Sequence, residues 1–253
     1  MKRFQLFEIA DQSWCPSFIR RALTAFLVTV GSRTGIYRPT IDVVQRVLSQ
    51  AKTQAIVVLC AGSGGGILDV AKTLSPDTKI VLTDIAPDLS FSGKSPTMVY
   101  DPRPVDARHV PADLNGARIV YGSFHHFSPN DARAILEAAV RDHEPIAIFE
   151  ATERSFRGIA TCLLIPILVL LMMPLARPVR ILSLVFTYLV PILPLIILWD
   201  GLVSQLRSYT QQEMRAFVEN LTSYQWDAGV LSGPHGEHIS YLSGIPNEPK
   251  ATD

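Results

Sequence analysis

A cluster of small residues carries the first chemistry legible in this chain: Cys60-Ala61-Gly62-Ser63-Gly64-Gly65-Gly66, directly after the apolar run AIVVLC (55–60). Residues this small let a ligand approach the backbone closely. About twenty residues further on, Asp84 closes the run KIVLTDI (79–85). An acid in that place accepts hydrogen bonds from ribose hydroxyls, so turn and acid together point to a nucleoside-containing cofactor. The spacing also excludes. Counted from Gly62, the dinucleotide pattern G-x-G-x-x-G meets Ile67 where its last glycine belongs, and no lysine follows the glycines as a phosphate loop requires. ATP and GTP are strongly disfavoured, NAD less so. For proton transfer the candidates are His125, His126 and Glu150, because imidazole titrates near neutrality. Plainer roles stay open at each position. The glycines serve equally in a bare turn, Asp84 or Asp106 as a helix cap, the histidines as a turn cap and a packing group, and Glu150 as a partner of Arg154. His235 and His238 sit in a polar turn with no further ligand set around them, and no metal centre is expected.

These residues need elements to hold them. AIVVLC (55–60) reads as a buried parallel strand, ILDVAKTLS (67–75) as a helix and KIVLTDI (79–85) as a second strand. MVYD (98–101), ARIVYGSF (117–124) and PIAIFEA (145–151) supply three more, with a helix opening at Ser128-Pro129-Asn130-Asp131. Strands alternating with helices predict a parallel sheet covered on both faces, with ligands at the carboxyl ends of the strands. Residues 1–50 read as a helical lead-in, alternatively as an amphipathic helix resting on a membrane surface; Pro39 opens TIDVVQRVLSQAK within it. Toward the end, DGLVSQLRSYTQQEMRAFVENL (200–221) has the pattern of one polar amphipathic helix, and YQWDAGVLSG and HISYLSGIP that of two strands.

Five segments, VLCAGSGGG, LTD, PVDARHVP, GSFHHFSP and IFEATERS, together resemble the class I S-adenosylmethionine-dependent methyltransferases, over residues 50–157 and 202–246. The resemblance implies an α/β Rossmann-like methyltransferase fold: a mostly parallel seven-stranded sheet with helices on both faces, closed by an antiparallel hairpin. It implies S-adenosyl-L-methionine as cofactor. Cys60, Ala61, Gly62, Ser63 and Gly64 then pass beside its methionyl part, and Asp84, with Ile85 next to it, holds the ribose. Asp106 and Ala107 border the adenine, and Ser123 and Phe124 close the pocket near the sulfonium. His125, His126 and Glu150 face the methyl acceptor. In one place the chain departs from the family. The first strand usually carries an acid that orients the methionyl part; here Val58 stands there, and Cys60 replaces the first glycine of the motif.

Hydrophobic residues make up 48% of the chain and charged residues only 18%, against about 25% charged in a typical soluble domain. The excess is local: Gly158–Ala176 and Ile181–Trp199 each run for 19 residues without a charge. As a helix each would extend about 28 Å, close to the hydrocarbon thickness of a bilayer. Arg177 and Arg180 separate the runs, Arg154 and Arg157 precede them, and Pro166, Pro174, Pro191 and Pro194 interrupt them. Basic residues at both ends weaken an orientation signal, and the prolines break the helices. A shallow, one-sided insertion avoids both difficulties and is preferred over a spanning hairpin. The expected organisation is a lead-in (1–50), a cofactor-binding core (51–157), a hydrophobic hairpin in contact with the lipid bilayer (158–200) and a closing segment (201–253). The catalytic part faces the cytoplasm, Tyr188, Trp199 and Tyr209 mark the interface, and the acceptor is a small hydrophobic or lipid-like molecule.

Lys plus Arg and Asp plus Glu both number 23, and a neutral chain lacks the footprint of a nucleic-acid binder. Three widely spaced cysteines exclude a disulfide framework and fit a reducing compartment. No cleaved signal peptide is expected, because Glu8 and Asp11 interrupt the start of the chain. Two competing readings remain beside the methyltransferase: a membrane-bound NAD(P)-dependent oxidoreductase, and a non-catalytic membrane protein whose cofactor pocket has decayed.

Overall fold

The computed structural model describes residues 1–87 and 97–248. Two compact units divide the chain: Gly35–Ala151 with Thr210–Asp253, and Met1–Thr34 with Thr152–Tyr209. The first fifty residues are thus shared between them.

In the larger unit, strands β1 (Ala55–Leu59), β2 (Lys79–Asp84), β3 (Met98–Pro104), β4 (Ala117–Tyr121), β5 (Ile146–Glu150), β6 (Tyr224–Ser232) and β7 (His238–Pro246) form one seven-stranded sheet in the order β3-β2-β1-β4-β5-β7-β6. The first five run parallel, and β7 is antiparallel to both β5 and β6. Both faces of the centre are covered, so β4 and β5 are buried at every residue and their sequences are continuously apolar apart from Arg118 and Glu150. The chain leaves β1 toward β2 on one side and later builds β4 on the other. The switch point therefore lies between β1 and β4, and ligands of such sheets bind beyond the strand ends there.

Local chemistry sets the element boundaries. β1 ends at Leu59 because Cys60 takes φ +53°, and β4 ends at Tyr121 because Gly122 takes φ +57°. A side chain at Gly122 would also meet the Tyr37 hydroxyl at 2.6 Å. Both strands are therefore shorter than their apolar runs. The helix Pro129–Arg141 starts where expected, with the Ser128 side chain accepting the Asp131 N–H and proline in its first turn. The single helix expected over 200–221 is two. One ends at Arg207, and another, Gln211–Val218, starts from a capping box in which Thr210 and Glu213 exchange hydrogen bonds. The break falls where the chain passes from one unit to the other.

The smaller unit is helical. α1 (Ser17–Thr34) packs through Ile19, Ala22 and Phe26 against Val169, Met173, Leu193 and Ile197. Residues 1–16 are not helical, against the reading of a continuous lead-in. They are pinned by side chains: the buried Asp200 carboxylate accepts the N–H groups of Ile9 (2.6 Å) and Ala10 (3.0 Å), and the Trp199 indole donates to the Phe7 carbonyl (3.1 Å).

Neither 19-residue run is one helix. Phe156–Cys162 and Ile165–Leu175 meet at 41°, and Ile181–Leu189 and Ile192–Arg207 at 87°. Among the described residues no single helix is long and apolar enough to cross a membrane, although each bent pair together has the length and composition. Proline accounts for the breaks. Pro166 lies in the first turn of the helix from Ile165, and Pro191 is the residue before the helix from Ile192. In these places the missing N–H costs nothing, whereas in a continuing helix it would.

Candidate functional site

The glycine turn and the acid after β2 form one hydrogen-bonded object. With Cys60, Gly62 and Gly64 all at positive φ, the turn folds back on itself, and the Gly64 N–H donates to the Ala61 carbonyl at 2.6 Å. Asp84 Oδ2 accepts the Gly62 N–H at 2.9 Å, while Oδ1 accepts the Ala86 N–H at 2.9 Å. Tyr100, on β3, donates its hydroxyl to the Gly62 carbonyl at 2.9 Å. The carboxylate is thus held in one orientation with a lone pair left on each oxygen. Among the described residues nothing lies within 4 Å of a Cβ built on Gly62, so they leave room beside that residue. Ile85, the residue after Asp84, is 65% exposed, an apolar surface at the strand end. Val58 is buried, and the first strand offers no carboxylate.

Cys60 does not supply the missing negative charge. Burial, reinforced by the carboxylates of Asp84 and Asp106, pushes its thiol up to about 12. The expected result is resistance to alkylation at pH 8, because the thiol stays largely protonated there. Mass spectrometry after iodoacetamide treatment at pH 8 should find Cys60 unmodified in folded protein and modified in urea. Rapid labelling of the folded chain would contradict this environment.

Asp106 is committed elsewhere. Its carboxylate takes a fork from Arg108, with Nε at 3.0 Å and Nη2 at 2.7 Å, and Arg108 Nη1 reaches Asp131 at 2.6 Å. This partner holds the Asp106 carboxyl below the usual carboxylate range. A second fork of the same form joins Arg103 to Asp101 and Asp113. The two D-x-R units fix the end of β3 and the segment just after it, and their repetition in the sequence was the available signal. Of the expected adenine residues, Ala107 is buried and the Asp106 carboxylate already has its cation.

At the ends of β4 and β5 the structure brings three expected residues together. Glu150 Oε1 accepts the Phe124 N–H at 2.7 Å, and Oε2 lies 2.6 Å from His125 Nδ1. Glu150 and His125 are both buried. His126 is half-buried, and its ring lies 4.4 Å from that of His125. The Phe124 ring is fully buried and meets Phe217 edge-on, so Phe124 acts from the core rather than lining open space. Ser123 turns its hydroxyl to the carbonyls of Cys60 and Tyr121, tying the β4 end to the glycine turn. Tyr121 stacks on Phe149 with 5.1 Å between centroids and receives Tyr37 edge-on at 5.0 Å, a ring cluster that sequence spacing did not announce. Ala61 and Ser63 complete the turn.

Two clefts lie at the opposite, amino ends of the strands. One of about 390 Å³ is lined by Leu48, Lys52 and Gln54, and one of about 180 Å³ by Asn115, Arg118 and Glu144. Neither contains a residue of the site above.

No protein-family model matches the chain. No curated protein matches it either. Solved structures do. The plantazolicin methyltransferase BpumL, in complex with a pentazolic desmethylPZN analog and SAH, is 12% identical with a TM-score of 0.56, over 92% of this chain and 99% of that one. Human N-acetylserotonin methyltransferase in complex with SAM is 12% identical with a TM-score of 0.53, over 91% of this chain and 57% of that one. A SAM dependent methyltransferase from Aquifex aeolicus is 12% identical with a TM-score of 0.50, over 90% and 97%. At these identities the likeness is one of fold, and the chain has the fold of the class I methyltransferases.

Proposed function

We propose that the chain is an S-adenosylmethionine-dependent methyltransferase working at a membrane surface on an oxygen of a small hydrophobic or lipid-like acceptor. The observation that carries this reading is the join between Asp84 and the Gly62 N–H at the switch point. There the acid after β2 and the glycine turn form a single preset unit, and the described residues leave room beside Gly62.

The residues fit the nucleoside half of the cofactor well. Asp84 has lone pairs left for ribose hydroxyls, and exposed Ile85 offers a flat apolar contact for a base. The fit to the methionyl half is looser, because Val58 leaves its ammonium without the acid of the first strand. When bound, S-adenosylmethionine supplies a methyl group already activated by its sulfonium. What remains for the protein is positioning, exclusion of water and removal of one proton from the acceptor.

Glu150 and His125 suit that last task. A carboxylate only accepts hydrogen bonds, so Nδ1 must carry the proton in their 2.6 Å contact. Nε2 is then the basic nitrogen, and the imidazole is fixed as a general base by Glu150, which in turn is fixed by the Phe124 N–H. Support for an apolar acceptor comes from the smaller unit. Phe156, Ile181 and Leu189 are each more than three-quarters exposed. Such a surface fits shallow, one-sided insertion into lipid, on the cytoplasmic face.

Incubation of the full chain with methyl-labelled S-adenosylmethionine and mixed micelles of total lipid extract tests the proposal. Label is expected in the organic phase. Transfer to water-soluble acceptors alone would contradict the acceptor class. Val58 favours one second reading, a non-catalytic membrane protein with a decayed pocket. It requires that the cofactor not bind at all.

A further inference from the structure

The neutral composition of the chain conceals an uneven division. Met1–Thr34 with Thr152–Tyr209 contains ten Lys or Arg and four Asp or Glu, a net charge of +6. The sheet unit contains thirteen and nineteen, a net charge of −6. From Arg154 to Trp199 there are four arginines and no acid. Basic and apolar residues also alternate on the surface of this stretch. Exposed Arg157 follows exposed Phe156, and Arg177 and Arg180 stand among exposed Leu175, Val179 and Ile181. Among the described residues the side chains of Arg177 and Arg180 form no ion pair.

We propose that the smaller unit is a docking surface for an anionic lipid bilayer, its apolar side chains entering the acyl boundary while its arginines meet lipid phosphates and acidic headgroups. The inference rests on the membrane reading above and names the partner that reading leaves open. Apolar side chains alone would bind neutral and acidic bilayers alike; arginines among them add attraction only where the surface is negative. A nucleic acid would use the arginines but not Phe156, Ile181 or Leu189. A second copy meeting face to face would set Arg177 and Arg180 against like charges across a two-fold contact. An anionic bilayer satisfies both components.

Co-sedimentation of the full chain with vesicles of phosphatidylcholine, with and without phosphatidylglycerol, tests the inference at low and high salt. Binding is expected to be at least about tenfold tighter with phosphatidylglycerol, the difference shrinking as salt rises. Arg177→Gln with Arg180→Gln should lower affinity for acidic vesicles about twenty-five-fold, roughly fivefold for each arginine, and leave binding to neutral vesicles unchanged. Lys52→Gln, exposed in the sheet unit, should change neither. Phe156→Gln should weaken binding to both. Equal, salt-insensitive binding to the two compositions would overturn the charge selection while leaving membrane docking intact. Absence of binding to either, by protein that still binds S-adenosylmethionine, would overturn membrane docking as well without touching the methyltransferase reading.

Discussion

Asp84→Ala is expected to weaken S-adenosylmethionine binding at least about a hundredfold, since each of the two ribose hydrogen bonds it would lose contributes about 1.5–3 kcal/mol. The carboxylate has two roles at once. One is to receive ribose hydroxyls; the other is to hold the Gly62 N–H at 2.9 Å and so keep the turn in its left-handed conformation. Alanine removes both. Asp84→Asn keeps one acceptor oxygen for the Gly62 N–H, sets its amide nitrogen against the Ala86 N–H, and loses the charge. It should fall between the two, with a loss of about tenfold. Calorimetric titration of the three proteins gives the order directly, and thermal melting shows whether the alanine variant keeps its fold. Wild-type affinity in a folded Asp84→Ala protein would remove Asp84 from the ribose and with it the main argument for the cofactor.

The second large effect is expected at the histidine–glutamate pair. His125→Asn should lower the turnover of an oxygen acceptor by about 10²–10⁴, the usual contribution of a general base. Cofactor affinity should stay the same. Asparagine is the informative replacement because its amide preserves a donor toward buried Glu150, whereas alanine would leave that carboxylate short of a partner. Glu150→Gln should do nearly as much damage, for a geometric reason. The two glutamate oxygens face two donors, the Phe124 N–H and His125 Nδ1. An amide has only one acceptor oxygen, and the backbone N–H cannot turn away. The amide nitrogen therefore faces Nδ1, forces the proton onto Nε2 and abolishes the base. A purely structural Glu150 would instead lower the melting temperature and leave the rate of the folded fraction and its pH profile unchanged. Near-wild-type turnover in both variants would remove His125 from the reaction.

Much of the sheet was readable from the sequence because buried parallel strands contain apolar runs, as AIVVLC, the IVL of KIVLTDI and the IAIF of PIAIFEA do. Their ends were less legible. β1 and β4 stop where Cys60 and Gly122 enter the left-handed region, and β3 runs on to Pro104 because its pairing with β2 resumes after an irregularity between Leu82 and Asp84. The helix expected at 200–221 failed for a reason present in the sequence: Thr210 and Glu213 are a capping box inside an otherwise continuous amphipathic pattern. At the site, the glycine turn and Asp84 were legible because their spacing is set by one βα unit. The contact between Glu150 and His125 was not. It joins residues from adjacent strand ends, 25 positions apart, and no local periodicity encodes it. The charge division between the units was equally hidden, because it depends on residues 1–34 clustering with 152–209.

The central claim is tested most directly by titration calorimetry of S-adenosylmethionine into the detergent-solubilised full chain, with NADH titrated in parallel. Saturable micromolar binding of S-adenosylmethionine, with no heat from NADH, is the expected result and justifies the search for the acceptor among lipids. A sample that melts cooperatively yet binds no S-adenosylmethionine would contradict the methyltransferase reading. NADH binding in its place would assign the same sheet to an oxidoreductase, and binding of neither would leave a membrane protein with a decayed pocket.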